Sequence, residues 1–312
     1  MRAAVLPAHG AVPEFGTFDD PTPADGQEAL TVLAGGLNPV DIRIASGTYP
    51  AERHEPPYVP GKEGIGRRDD GTRVYFDRPI APYGSFAERT LIAADDCIPI
   101  PDGLDEGLAL SVGIAGLAAW LGLEWRGQLK SGETVLVLGA SGVVGQIGVQ
   151  AACLQGAGRV VAAARSAEGL ERARALGADA TVRLGEDGDL TAALVEAADG
   201  GVDVTLDPLW GEPAVAAIGA LNPFGRHVQI GQSAGAAASL ASAAIRGKPA
   251  SIVGHTNFAA DRPRLRAAYL RLADHAADGE IRVDVERIPL DVVADAWRRQ
   301  GESPNRKLVI VP

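Results

Sequence analysis

The sequence has little of several features that define whole classes of protein. Only two of its 312 residues are cysteines, Cys97 and Cys153. Two cysteines exclude a disulfide framework and a cysteine-rich zinc site, and they indicate a reducing compartment, the cytoplasm. No apolar run approaches the roughly 18 residues that a membrane-spanning helix needs. Residues 1–15 also lack the apolar stretch of a signal peptide. The aromatic content of the whole sequence is only 5%.

Positive charge is scarce as well. The chain has 29 Lys and Arg residues against 40 Asp and Glu residues, a formal net charge of −11. Such an acidic balance opposes binding to nucleic acid or to an anionic membrane face, so we expect neither as a partner. The length and the 46% hydrophobic content are sufficient for two domains with substantial cores.

Proline and glycine divide the first hundred residues into short apolar runs. Because each proline fixes φ and removes an amide donor, long helices are excluded there, and a β-rich domain is predicted. Residues 105–125 contain no proline and many alanines and leucines, and this stretch predicts a helix that leads into a second region.

In the second region, strand-like and helix-like segments alternate. This alternation predicts an α/β domain with a doubly wound parallel sheet of the Rossmann type. The predicted strands are 134–138, 159–164, 180–184, 202–206, 225–230 and 250–253, and the predicted helices are 143–155, 168–176, 190–198 and 212–221. Two further helices, at 262–278 and 290–299, and a closing strand at 307–311 complete the chain.

A glycine-rich loop joins the first of these strands to its helix, with the sequence Gly139-Ala140-Ser141-Gly142-Val143-Val144-Gly145. Glycine lets the backbone approach a pyrophosphate, and the helix N-terminus offers free amides and the positive end of its dipole. We therefore predict that Ser141, Gly142, Val143 and Val144 bind a dinucleotide. The alternative is a tight strand–helix turn without a ligand.

The end of the second strand indicates which dinucleotide binds. In NAD-binding units an Asp or Glu about 20 residues further on binds the ribose hydroxyls. Here the strand ends at Ala164 and is followed by Arg165 and Ser166. A guanidinium that donates to a 2′-phosphate is worth roughly 1.5–3 kcal/mol, about tenfold to a hundredfold in affinity. NADPH is the predicted cofactor, unless Arg165 is only a solvated charge.

Further short motifs are spread along the chain. They are Leu37-Asn38-Pro39-Val40-Asp41, Ser46-Gly47-Thr48-Tyr49-Pro50, Pro60-Gly61-Lys62-Glu63-Gly64, Gly116-Leu117-Ala118-Ala119-Trp120, Leu206-Asp207-Pro208 and Gly225-Arg226-His227-Val228-Gln229-Ile230-Gly231. With the glycine loop, and in this order and spacing, they resemble the medium-chain dehydrogenases/reductases of the zinc-independent quinone oxidoreductase type. The resemblance implies a β-rich GroES-like catalytic domain (1–115 and 255–312), a Rossmann domain (116–254) and a homodimer formed through the Rossmann domain.

The resemblance also bears on metal content. Zinc-dependent relatives have a cysteine where Asn38 stands, a histidine where Lys62 stands and a third ligand near Ile114. A catalytic zinc needs about three good ligands, which these residues do not supply, so we expect no metal. Without a Lewis acid, hydride transfer to an electrophilic quinone or α,β-unsaturated carbonyl is favoured over alcohol oxidation.

Three residues receive catalytic roles from the resemblance, each with a simpler alternative. Tyr49 hydrogen-bonds the substrate carbonyl or donates a proton, although solvent can supply that proton and the ring can serve for packing alone. Asn38 holds the nicotinamide carboxamide or the substrate oxygen, or is only a polar turn residue. Lys62 stabilises an enolate, or is a solvated or Glu-paired lysine.

Other positions are expected to contact the cofactor. Ala118, where many relatives have threonine, can make only backbone contacts, and Gly231 is expected to contact the cofactor. His255 is a candidate pocket residue, although a lone histidine is more often structural. Relatives that bind NADPH often carry a lysine near Gly169 and a tyrosine at Leu184. Because both are missing, Arg165 must be assisted by Arg183 or Arg172.

The sequence leaves three functional hypotheses. The first is a zinc-independent, NADPH-dependent reductase of quinones or conjugated carbonyls. The second is a specialised biosynthetic double-bond or imine reductase, since Ala118 and a tryptophan at position 210, where glycine is common, indicate a reshaped pocket. The third is an NADPH-binding sensor without turnover.

Overall fold

The computed structural model describes residues 1–49 and 51–312, so that Pro50 of the motif 46–50 lies outside the described residues. The chain divides into two compact units. The first unit comprises Met1–Ile114, Ala273–Asp278 and Val283–Pro312, and the second comprises Ala115–Leu272 and Gly279–Arg282. The division into a GroES-like and a Rossmann domain at the limits given above stays a prediction.

The described residues form strands and α-helices of ordinary length. The strands are β1 (Arg2–Val5), β2 (Glu14–Thr17), β3 (Gln27–Leu37), β4 (Glu63–Arg67), β5 (Arg73–Phe76), β6 (Arg89–Ala93), β7 (Ile98–Pro99), β8 (Thr134–Leu138), β9 (Arg159–Ala164), β10 (Ala180–Arg183), β11 (Val202–Asp207), β12 (Leu221–Gln229), β13 (Ser251–Gly254), β14 (Val285–Pro289) and β15 (Lys307–Val311). The α-helices are α1 (Pro39–Ala45), α2 (Glu106–Ser111), α3 (Ile114–Leu121), α4 (Val143–Leu154), α5 (Ala167–Ala175), α6 (Leu190–Ala197), α7 (Gly211–Gly219), α8 (Ser242–Arg246), α9 (Arg262–Ala277) and α10 (Val293–Gly301). None of these helices is long and apolar enough to span a membrane.

The first unit is built on a seven-stranded mixed sheet in the order β14-β15-β3-β4-β5-β7, with β6 also paired to β3. Its core includes Tyr58, Phe86 and Trp297, which are packed against the closing strand β15. Prolines do keep helices short before residue 100: α1 has seven residues, and Pro39 occupies its first turn, where no amide donor is needed. The predicted β-rich character is confirmed.

The second unit contains a six-stranded sheet in the order β10-β9-β8-β11-β12-β13. Every neighbouring pair is parallel. This is the doubly wound order 3-2-1-4-5-6, so the predicted fold class is confirmed, including the sixth strand. β8 and β9 coincide with the predicted segments because both are short apolar runs that are buried on both faces of the sheet.

The single helix predicted for residues 105–125 is wrong. The structure has α2, then α3, and then a turn of π-helix at Gly122–Arg126. The break lies at Gly113, where an added Cβ would be 2.6 Å from Tyr75 Cε2. The next amide, that of Ile114, donates to the Glu63 carboxylate at 2.7 Å. A side chain 51 positions away in the sequence therefore ends the first helix.

Candidate active site

The glycine loop leads from β8 into the N-terminus of α4. Gly139 has a φ of 62°, which glycine adopts without strain, and Gly142 is the N-cap residue. No side chain caps this end within the described residues. Because the first amides of an α-helix have no intrahelical acceptor, those of Val143 and Val144 are available to an anion.

The two later glycines of the loop meet different surroundings. A Cβ on Gly145 would lie 2.5 Å from Ala140 Cα, so only glycine fits between α4 and the loop. A Cβ on Gly142 would meet only Gly139 O, at 3.5 Å, which is ordinary contact. Packing thus requires glycine at 145, whereas at 142 glycine leaves open space over the helix N-terminus.

Arg165, Ser166 and Arg183 lie together at the carboxyl edge of the sheet. Arg183 pairs in register with Ala164, and Arg165 follows directly. Both arginines are exposed, and Arg183 makes an exposed ion pair with Glu186, at 3.4 Å. The Ser166 hydroxyl caps α5 by accepting from Gly169 N at 3.1 Å. Two guanidiniums are thus presented where a carboxylate is absent.

The surroundings of α5 explain why no lysine is present near Gly169 and how Arg172 is engaged. A Cβ on Gly169 would collide with Ser141 Cβ and lie 3.2 Å from Ser141 Cα, so this turn packs directly on the glycine loop. A lysine does not fit there. Arg172 is engaged by Glu168 at 3.3 Å, one turn earlier.

The loop after β11 is held by a buried carboxylate. Asp207 Oδ1 accepts from the amides of Leu209 and Trp210 at 2.7 and 2.9 Å, and its Oδ2 is 2.8 Å from His227 Nε2. Trp210 has a φ of 58°, and its indole lies 6.1 Å from the His227 ring. This contact favours a ring that covers the end of the sheet over one that narrows a substrate pocket.

Gly231 and His255 follow β12 and β13 at the same edge of this sheet. Gly231 N donates to Asp207 O at 3.3 Å, and a Cβ at this position would lie 2.5 Å from Pro208 O. His255 N donates to Gln229 O at 2.9 Å, and burial lowers the pKa of its ring to about 4. The imidazole is therefore neutral at pH 7. Ala118 is half-buried on α3.

In the first unit, Asn38 belongs to a buried network. Its Nδ2 donates to Gly36 O at 3.1 Å and to Glu63 Oε1 at 2.8 Å, and its Oδ1 accepts from Lys307 Nζ at 2.8 Å. Lys307 also pairs with Glu63 at 2.6 Å, and Tyr75 donates to the other Glu63 oxygen at 2.9 Å. Both Asn38 amide hydrogens are used, so one Oδ1 lone pair remains for a ligand.

Asp41 connects the positions of Asn38 and Lys62. Its carboxylate accepts from Asn38 N at 2.7 Å and from Lys62 N at 2.8 Å. Burial raises the pKa of Asp41 to about 7, although these two backbone hydrogen bonds lower it. The carboxyl group thus fixes two predicted catalytic residues through their backbone.

Lys62 is paired with a carboxylate, as one of the two interpretations expected. Its Nζ lies 2.6 Å from Glu52 Oε2, and Glu52 Oε1 lies 2.8 Å from His54 Nε2. Tyr49 is half-buried, with the Arg43 guanidinium 5.3 Å from its ring centroid. Burial raises the pKa of the Tyr49 phenol, so it is protonated at neutral pH and can donate.

Sequence reasoning missed the residues that hold these side chains in place. The signal for Lys307 was a cation at the head of an apolar strand, and for Glu63 and Asp41 it was their place in motifs already noted. Nothing in the sequence indicated Glu52. Within residues 1–49 and 51–312, no group of three or more His, Cys, Asp or Glu side chains is arranged to hold a metal ion.

The strand order, the uncapped helix at the glycine loop and the arginines at the ends of β9 and β10 define a dinucleotide-binding protein of the doubly wound class. Residues 143–273 match the family described as zinc-binding dehydrogenase. The human quinone oxidoreductase is 26% identical over 304 residues, 93% of this chain and 91% of that protein. The quinone oxidoreductase of Thermus thermophilus, solved also in complex with NADPH, is 29% identical with a TM-score of 0.86, and both chains are covered completely.

A second kind of relative is a much larger protein. One subunit of the phenolphthiocerol/phthiocerol polyketide synthase of Mycobacterium tuberculosis is 32% identical over 300 residues, which is 93% of this chain and 14% of that protein. The chain spans less than two thirds of the length of the first curated relatives that it matches. Over its full length the chain is thus similar to the quinone oxidoreductases.

Proposed function

We propose that this protein is a zinc-independent, NADPH-dependent reductase that transfers hydride to a quinone or an α,β-unsaturated carbonyl compound. The carboxyl edge of β9 and β10 is the observation that carries the proposal. Arg183 is the last residue of β10 and Arg165 directly follows the neighbouring β9, and the position of the NAD-type carboxylate holds no acid. Two guanidiniums attract a 2′-phosphate, which an acid would repel.

The second unit fits the rest of NADPH. The amides of Val143 and Val144 and the open side of Gly142 would hold the pyrophosphate. Ser141, Ser166, Gly231 and His255 lie at the same edge of the sheet, where such ligands bind. When bound, NADPH supplies the hydride that reduces the substrate.

Zinc does not fit the residues at the corresponding positions of the first unit. Both Nδ2 hydrogens of Asn38 are donated, and the Lys62 ammonium is paired with Glu52. An amide and a protonated lysine are poor ligands for a metal that prefers thiolate, imidazole or carboxylate. We therefore assign no step to a metal, although the matched family is described as zinc-binding.

The first unit supplies the groups that act on the substrate. With one Oδ1 lone pair left, Asn38 can accept a hydrogen bond, such as that of a carboxamide, but it cannot donate one to a substrate oxygen. That donor role falls to the Tyr49 phenol and the Lys62 ammonium. Both stabilise negative charge that develops on a carbonyl oxygen.

The test is NADPH consumption by the purified protein with a simple quinone and a simple enone, each repeated after dialysis against a chelator. We expect turnover with at least one acceptor and no loss on chelation. Loss of activity that zinc restores would contradict zinc independence. NADPH binding without turnover of either acceptor would favour the sensor.

A specialised biosynthetic reductase is the second candidate. The match to part of a polyketide synthase over 93% of this chain favours it. The same assay with a long-chain conjugated thioester, compared with small enones, separates the two candidates. A preference for the thioester would support biosynthesis.

We further propose a cytoplasmic homodimer. β13 is the last strand of its sheet, and three of its four residues are exposed. It therefore offers an edge to a second copy. Among the described residues, Cys97 and Cys153 form no disulfide bond, which suits a reducing compartment. Light scattering after gel filtration should give twice the 32.2 kDa chain mass.

A further inference from the structure

Lys62 is the first member of a hydrogen-bonded trio in the first unit. Its Nζ is 2.6 Å from Glu52 Oε2, and Glu52 Oε1 is 2.8 Å from His54 Nε2. One carboxylate thus joins a lysine to a histidine through its two different oxygens.

The trio leads from the interior towards solvent. The Lys62 side chain is 9% exposed, that of Glu52 18% and that of His54 23%. All three line one cavity of about 30 Å³, together with Tyr58, whose hydroxyl is buried and has no hydrogen-bond partner among the described residues. The His54 ring packs edge-on against Tyr58, with centroids 5.2 Å apart, which fixes the imidazole beside Glu52.

The charge states suit proton exchange along the trio. Burial raises the pKa of Glu52, but the hydrogen bonds and charges of His54 and Lys62 outweigh it, so the pKa is lowered overall. The carboxyl group is therefore ionised and can accept a proton. Burial raises the pKa of Tyr58 to about 12, which keeps that neighbour a neutral phenol.

We propose that Glu52 and His54 are positioning residues that resupply Lys62 with protons from solvent during reduction of an enone. This proposal rests on the proposed function, because it assumes that Lys62 protonates the reduced substrate. It assigns a task to two residues that no sequence motif indicated.

The proton step balances as follows. Once the β-carbon carries the new C–H bond, the substrate is an enolate. An Nζ–H bond of Lys62 breaks and an O–H bond forms on the enolate oxygen, which leaves a neutral amine. His54, protonated from solvent, passes its proton to Glu52 Oε1. A half-turn of the carboxyl group then brings that proton to Nζ, which restores the ammonium and the carboxylate, and the enol tautomerises in solvent, gaining a proton at Cα and losing the O–H proton, to give the saturated carbonyl compound.

The trio has further titratable neighbours. Asp41 and Tyr83 line the same cavity, and Tyr49 is close enough for its pKa to be raised by Glu52. Asp41, with a pKa raised by burial to about 7, titrates in the assay range. The pH profile must therefore be compared between variants and not interpreted from the wild type alone.

The test is Glu52→Gln, which keeps the size of the side chain but cannot carry a proton to Nζ. We expect kcat for enone reduction to fall at least about tenfold, which is less than the roughly 10²–10⁴-fold effect of a general acid or base that acts directly on the substrate, with KM for NADPH unchanged. Imidazole buffer should restore part of the loss. His54→Gln should lose most at high pH, where solvent protons are scarce. Glu55→Gln, three residues away and 80% exposed, is the matched control and should match wild type.

Two kinetic outcomes would overturn the proposal. One is an unchanged kcat in Glu52→Gln. The other is a loss accompanied by raised KM and no response to buffer, which would indicate structural support only.

A further measurement does not require substrate turnover. The ring nitrogens of His54 are observed by NMR in wild type and in Glu52→Gln at a single pH. Loss of the carboxylate should move the His54 Nε2 resonance, because its hydrogen-bond partner at 2.8 Å is changed. If no acceptor is reduced by wild type, the proposed function fails. An unmoved His54 resonance would refute the relay itself.

Discussion

A pair of glycine-to-alanine substitutions separates packing from ligand binding in the glycine loop. In Gly145→Ala the new methyl group would lie 2.5 Å from Ala140 Cα, so the loop must move away from α4. Overpacking of this kind costs about 1–3 kcal/mol in the free energy of unfolding. In Gly142→Ala the methyl group meets only Gly139 O at 3.5 Å, and the φ of −78° suits alanine.

The two variants should therefore differ in their free energy of unfolding, although both should bind NADPH more weakly than wild type. At position 142, a poorer N-cap and a stiffer unfolded chain nearly cancel, so the free energy of unfolding should stay within about 0.5 kcal/mol of wild type. Its methyl group occupies the space of the pyrophosphate, and Kd for NADPH should rise at least about tenfold, or 1.4 kcal/mol. Urea unfolding and titration of NADPH fluorescence measure both quantities. Wild-type NADPH affinity in Gly142→Ala would refute the assignment of the loop.

Three further predictions concern single contacts. Arg165→Ala should weaken NADPH binding by about 1.5–3 kcal/mol and leave NADH unchanged, as measured by the two Kd values; equal loss for both cofactors would contradict a phosphate contact. Lys307→Met leaves the fully buried Glu63 carboxylate without its cation and should lower the free energy of unfolding, measured in urea, by about 3–5 kcal/mol. Arg2→Met is the control: it removes a pair with Glu88 whose side chains are 60% and 36% exposed, and it should cost under about 1 kcal/mol. The lowered pKa of His255, about 4, means that only the unfolded state gains a proton as pH falls from 6.5 to 4, so stability falls in that range by on the order of 3 kcal/mol. His255→Gln should flatten that slope, while the opposite effect of Asp41, whose pKa is raised to about 7, stays in both proteins and cancels in the comparison.

The sequence was sufficient for most of the second unit. β8 and β9 there, and β15 in the first unit, were predicted to the residue because each is a short apolar run buried in a sheet. The glycine loop was located by its place between such a strand and a helix. Patterns of this kind are local, and the local structure follows them.

Features that depend on distant residues were not predictable. The break at Gly113 exists because Glu63 takes the Ile114 amide, and the Glu63 carboxylate is in turn held by Lys307, 244 positions away. Nor did spacing connect Glu52 to Lys62, since neither lies in a periodic element. The sequence located the candidate side chains, but the hydrogen bonds that orient them needed the fold.

Label transfer tests the proposed reductase most directly. The protein is incubated with NADPH that carries deuterium at C4, prepared separately for each face, and with a simple enone. We predict that one of the two preparations places deuterium on the carbon β to the carbonyl of the product, and that unlabelled NADPH in heavy water does not. NADPH oxidation without deuterium in any product, or a label at that carbon that comes from solvent, would contradict hydride transfer to a conjugated carbonyl.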